Sequence, residues 1–135
     1  MRLFDTAFII DLIDGDKGAK ALAEKIDYEQ TFNAISVVTV QEYLRGIYYL
    51  FSNSKVLKAK LEKAESELQH FEIIPYSYDI AKIAASMEAE LARRGIVIGM
   101  ADAIIASTAL HLGLKVVTRD LEHFKRIPKL IVETY

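Results

Sequence analysis

The stretch from Ile98 to Leu112 constrains the chain most, because it is apolar almost all the way round: Met100, Ala101, Ala103, Ile104, Ile105, Ala106, Ala109, Leu110 and Leu112 fill it, behind a starting Gly99. A helix that is apolar on every side belongs in a buried core. One residue breaks the pattern. Asp102 sits in the first turn, on the same face as Ile105 and Ala106, three and four positions on. A carboxylate in that setting is costly unless its desolvation is offset by the helix N-terminus, a basic side chain or a metal ion.

Composition bounds the answer. The 135 residues suit one domain, residues 1–135, and 52% apolar content supports a sizeable core. The net charge of −2 and pI near 5.9 show no global basic field for nucleic acid, which leaves only a local patch. With no cysteine, disulfides, thiol chemistry and Cys-type zinc sites are excluded. No apolar run reaches membrane-spanning length, and Asp5 and Asp11 interrupt the N-terminal apolar segment. We therefore expect a soluble cytoplasmic protein without a membrane partner.

Short β-branched runs alternate with helical patterns. Strands are expected at Arg2–Phe4, Asn33–Val38, Phe71–Ile74, Lys115–Thr118 and Leu130–Val132. Helices are expected over Ala7–Ile13, Ala19–Ile26, from a Thr39 cap to about Phe51, through Leu57, Leu61, Ala64 and Leu68, and from Ser77 or Asp79 to about Arg94. The apolar helix and a short turn at Leu121–Arg126 complete the series. Asp14-Gly15-Asp16-Lys17-Gly18 lacks the register of a calcium loop and reads as a solvated turn. This alternation predicts a three-layer α/β/α fold around a mainly parallel sheet. Ligands of such sheets bind beyond the carboxyl ends of the strands.

Four acids fall at that edge: Asp5 after the first strand, Glu42 one turn past the second, Asp102 opening the apolar helix, and Asp120 after the fourth. If they converge, they repel and raise one another's pKa values. A divalent cation relieves that repulsion, and oxygen-only ligands favour Mg2+ or Mn2+. Each acid also has an ordinary role. Glu42 completes a Thr39-x-x-Glu42 capping box, Asp102 complements its helix dipole, and Asp5 and Asp120 suit strand-end turns.

At these residues the chain resembles the PIN-domain nucleases, and among them the VapC-type toxins of toxin–antitoxin pairs. The resemblance is carried by Phe4-Asp5-Thr6, Glu42-Tyr43-Leu44-Arg45-Gly46, Gly95 to Gly99, Asp102 to Ala109, Thr118-Arg119-Asp120 and Phe124. It implies a PIN-like fold and a metal-dependent endoribonuclease. It further implies that Asp5, Glu42, Asp102 and Asp120 form the catalytic and metal-binding quartet, with Thr118 as the supporting hydroxyl. The chain departs from the family at Ala7, where Asn or Ser is usual, at Val97, where Pro is common, and at Arg119, where Asn is frequent. The implied partners are RNA, a small antitoxin and a second copy of the chain.

Arg45, beside Glu42, and Arg119, beside Asp120, are the candidate phosphate contacts. The lysines at 55, 58, 60 and 63 read as a solvated face. The run Ile47-Tyr48-Tyr49-Leu50-Phe51 is too apolar to be fully exposed and reads as a homodimer face or an antitoxin groove. His70, His111 and His123 look scattered, and Ser107 has no His–Asp pair for a serine triad. Three rival readings remain. A phosphatase using Asp5 would want a second Asp where Ala7 stands. An inactive binding module would not respond to metal. A housekeeping RNA-processing nuclease would share the chemistry without the antitoxin.

Overall fold

A computed structural model describes all 135 residues. In chain order the elements are β1 (Arg2–Phe4), α1 (Thr6–Asp14), α2 (Lys17–Glu29), β2 (Asn33–Ser36), α3 (Val37–Phe51), α4 (Leu57–Leu68), β3 (Glu72–Ile74), α5 (Tyr78–Arg93), α6 (Met100–Leu112), β4 (Lys115–Val117), α7 (Leu121–Phe124) and β5 (Val132–Glu133). The five strands form one sheet in the order β3-β2-β1-β4-β5, and every neighbouring pair is parallel. The expected three-layer α/β/α architecture is the observed one.

Side-chain alternation along the strands builds the two cores. Leu3 pairs with Ala34 and Val116 in register, and these three point into a core with Met87 and Leu91 of α5 and Ile105 and Ala106 of α6. The next register, Phe4 with Ile35 and Val117, points the other way. It meets Phe8 and Ile9 of α1, Leu22 and Ile26 of α2 and Leu68 of α4. Strands covered on both faces are apolar without interruption, which is why their sequences do not alternate with polar residues.

The apolar helix α6 is buried from Ala103 to Ala109. Gly113 ends it in the left-handed region at φ +67°, its N–H bonding the Ala109 carbonyl. That conformation disfavours a β-carbon, so the glycine fits the stop.

One boundary differs from expectation with consequences for function. The second strand ends at Ser36, and Ser36 rather than Thr39 caps α3, its hydroxyl accepting from the Val38 N–H at 3.2 Å. Helix α3 therefore starts at Val37, and Thr39 is a fully buried residue inside it. The Thr39–Glu42 capping box does not form. The β-branched run Val37-Val38-Thr39-Val40 looks like strand locally, but an adequate cap at Ser36 starts the helix earlier. Ser77, not Asp79, caps α5.

Candidate active site

The chain leaves β1 toward α1 on one face of the sheet, and reaches β4 from α6 on the other. The loops after β1 and β4, which lie side by side, thus diverge and open a crevice at the carboxyl ends. Asp5 and Asp120 follow these two strands. Asp5 is 7% exposed and caps α1. Its Oδ1 accepts the Thr6 N–H at 2.7 Å, and its Oδ2 accepts the Thr118 hydroxyl at 2.8 Å. The same Thr118 oxygen accepts the Asp120 N–H at 2.9 Å.

Thr6 extends this chain to the next strand. Its Oγ1 lies 2.7 Å from Glu42 Oε1 and 3.1 Å from Thr39 Oγ1. A carboxylate only accepts, so the Thr6 hydroxyl donates to Glu42 and receives from Thr39. Asp120, Thr118, Asp5, Thr6 and Glu42 are therefore linked by one continuous run of hydrogen bonds across three parallel strands. Glu42 is held by tertiary contact with α1, not by its own helix cap.

Asp102 joins from the other face, at the start of α6. His123 Nδ1 stands 2.5 Å from Asp120 Oδ2 and 3.9 Å from Asp102 Oδ2, so one imidazole spans both acids. In the sequence His123 looks scattered from the acids. The signal was its position three residues after Asp120, on the same helical turn.

The acids feel one another. Burial pushes the Asp5 carboxyl up to about 6, the Thr118 and Thr6 hydrogen bonds pull against that, and Asp102 and Glu42 add to the rise. Asp102 is also raised, first by burial; His123 and Arg126 oppose the rise, and Glu42 and Asp120 add to it. Asp5 and Asp102 are thus both raised in part by acids far away in sequence.

Arg119 points elsewhere. Its guanidinium Nη1 pairs with Asp11 Oδ1 at 2.9 Å, and Asp11 Oδ2 accepts the Tyr135 hydroxyl at 2.6 Å. Asp11 is buried, and this pairing neutralises it. Arg45 is exposed and forms no salt bridge.

The donor set fits a hard divalent ion: carboxylate and hydroxyl oxygens predominate, and an excess of negative charge is only partly offset by His123 and Arg126. As the side chains stand, no three carboxylate or histidine groups surround one point closely enough to enclose an ion.

A doubly covered parallel sheet that gathers acids at the crevice of diverging loops belongs to a known class: the chain is a member of the PIN domain family, whose model matches residues 2–130. Within the family it is similar to the VapC ribonucleases. Ribonuclease VapC2 of Rickettsia felis is 33% identical over 102 residues, which cover 76% of this chain and 73% of the relative. The tRNA(fMet)-specific endonuclease VapC of Salmonella typhimurium is 30% identical over 114 residues, covering 84% of this chain and 83% of the relative. Among solved structures, VapBC2 of Rickettsia felis bound to a DNA fragment from its promoter superimposes with a TM-score of 0.86. That match has 27% identity and covers 99% of this chain and 98% of the other. DNA-bound VapBC of Salmonella typhimurium also gives 0.86, at 28% identity, covering 98% and 96%.

Proposed function

We propose that the chain is the toxin endoribonuclease of a toxin–antitoxin pair, acting in the cytoplasm on RNA phosphodiester bonds at the Asp5, Glu42, Asp102 and Asp120 cluster with Mg2+ or Mn2+. The single observation that carries the site assignment is the hydrogen-bonded run from Asp120 through Thr118, Asp5 and Thr6 to Glu42. It holds the carboxylates of Asp5 and Glu42 and the backbone of Asp120 along one edge of the sheet, and His123 connects Asp120 to Asp102. A fold needing these groups only as caps and turns would not link them through two buried threonines.

A divalent cation bound by these acids supplies Lewis-acid neutralisation of phosphate charge and activation of a water for attack. The protein's own groups do the positioning. Thr118 and the Thr6 N–H hold both oxygens of Asp5 in place. The Thr6 hydroxyl fixes the rotamer of Glu42. Asp102, at the N-terminal end of α6, keeps its carboxylate beside the crevice, where it, Glu42 and Asp120 can ligate or orient a nucleophilic water. No covalent enzyme intermediate is required.

The partner reading rests on surface chemistry and on the relatives. Tyr48, Tyr49 and Leu50 of α3 are 52%, 84% and 72% exposed, while Ile47 is buried beneath them. Such an apolar face suits an antitoxin segment laid along it, helix in groove. The same exposed face would equally suit a second copy of the chain in a homodimer.

The test is cleavage of a labelled single-stranded RNA, with partner removed and Mg2+ or Mn2+ present. Asp102→Asn should lower the rate by roughly 100-fold or more, exceeding the loss typical of a group that only supports a ligand. Its circular dichroism should stay that of the wild type. In parallel, Mn2+ should raise the wild-type melting temperature. A chain that neither cleaves RNA nor gains stability from Mn2+ is the inactive binding module instead.

A further inference from the structure

A cavity of about 400 Å³ opens between α3, the segment after β3 and the start of α6, and Glu42 lines it. Glu42 is also held by Thr6 in the acid cluster, so the cavity adjoins the candidate active site and shares a wall with it. We infer that it is a base-binding subsite: it holds one unstacked nucleobase of the RNA whose phosphate lies at the acids. This deepens the endoribonuclease reading and rests on it.

The lining matches that ligand. Tyr76 and Met100 present exposed apolar area, 44% and 69%, and with Val37 and Ile104 they form an apolar wall beside the charged Glu42 and Arg45. An aromatic face beside a polar crevice suits a planar heterocycle, and single-stranded RNA is commonly read by stacking unpaired bases on such rings. Arg45 lines the same cavity and has no carboxylate partner, so its guanidinium is available to the phosphate joined to that base. Gln41, one residue before Glu42, brings a side-chain amide that both donates and accepts, as reading a base edge requires. The volume lies within the range of small-ligand pockets. An apolar protein segment seated there would leave the Arg45 guanidinium without an anionic partner, whereas the phosphate joined to a bound base supplies one.

The experiment uses an Asp102→Asn background to prevent cleavage and a single-stranded RNA carrying 2-aminopurine, whose fluorescence is quenched by stacking. Binding should quench the probe. Tyr76→Ala should relieve the quench and weaken binding roughly 10-fold, while Tyr76→Phe should restore both. In the cleaving protein, Gln41→Ala should change the relative kcat/KM of four RNAs that differ at one base. Quenching and affinity untouched by Tyr76→Ala would overturn the subsite. So would a Tyr76→Ala variant that sediments as monomer while the parent sediments as dimer with quenching unchanged, which makes the cavity a contact between copies. RNA that the folded parent neither binds nor cuts overturns the nuclease reading itself, and the subsite with it.

Discussion

Strand β1 carries a buried charge at its start and another just past its end, and the two are treated in opposite ways. Arg2 is 6% exposed and Asp5 is 7% exposed. Arg2 Nε donates to Glu133 at 2.8 Å and Nη1 donates to Glu29 at 2.9 Å, so its charge is matched by carboxylates from β5 and α2. The Glu133 hydrogen bond does most to raise the Arg2 pKa, and it lowers that of Glu133 in return. Asp5 has hydroxyl and amide donors, but the charges nearest it are those of other acids, and it is pushed toward neutrality. At the amino end of the sheet a buried charge is neutralised and ties distant segments together. At the carboxyl end the charge is only partly balanced by His123 and Arg126, which suits a site that takes a cation and a phosphate.

The largest effect that should sharpen this contrast is at the amino end. Replacing both Glu29 and Glu133 by Ala leaves the Arg2 guanidinium buried without a carboxylate. Urea denaturation should show a loss of about 3 kcal/mol, the lower part of the range for broken buried pairs because both glutamates are partly exposed. RNA cleavage per folded molecule should be retained. A loss below about 0.5 kcal/mol would mean that the Arg2 cluster is no more than a surface arrangement.

Next in size is a pH effect at the carboxyl end. The folded-state pKa of Asp5 lies above its ordinary 3.8, at about 6. The folded protein therefore holds the proton more tightly than the unfolded chain. The stability that this proton confers is full below about pH 4 and is lost as pH rises through 6, and Asp102 acts in the same direction. Glu133 acts oppositely, since its folded pKa is lowered and its contribution falls away in acid. The informative quantity is thus the difference between wild type and Asp5→Asn in chelator. That difference should move by up to about 3 kcal/mol in favour of the variant between pH 4 and pH 7. A pH-independent difference would show Asp5 to be as well matched as Arg2.

The smallest effect concerns Asp11, a buried acid near the same end that is neutralised like Arg2. Tyr135→Phe removes its phenol donor but leaves Arg119, so thermal melting should report a loss of about 1 kcal/mol. If Arg119 is needed for RNA, the same variant should also raise KM with kcat unchanged. An unaltered KM assigns Arg119 to the structural pairing alone.

Much of this was legible from local pattern. Five strands and seven helices follow from β-branched runs and helical periodicity, and four acids fall at one edge once the sheet is taken as parallel. What local pattern misses has one cause. Thr39 fits a cap because the capping box is a local motif, yet its hydroxyl meets Thr6, 33 residues away. His123 looked isolated because Asp102 lies far from it in the chain. Arg119 stands beside Asp120 in the chain, and its pairing with Asp11, more than one turn into α1, is equally invisible to local pattern.

By itself the sequence determined which segments become strands or helices, that α6 is buried, and which residue types stand at the sheet's carboxyl edge. Those properties depend on periodicity and on desolvation of nearby side chains, both readable within a few residues. Only the tertiary structure decided that β1 lies between β2 and β4, that two threonines join three acids into one hydrogen-bonded run, and that Arg2 rather than Asp5 finds countercharges. Side-chain hydrogen bonds and ion pairs act over only a few ångströms, so their partners depend on how the elements pack, not on their order along the chain.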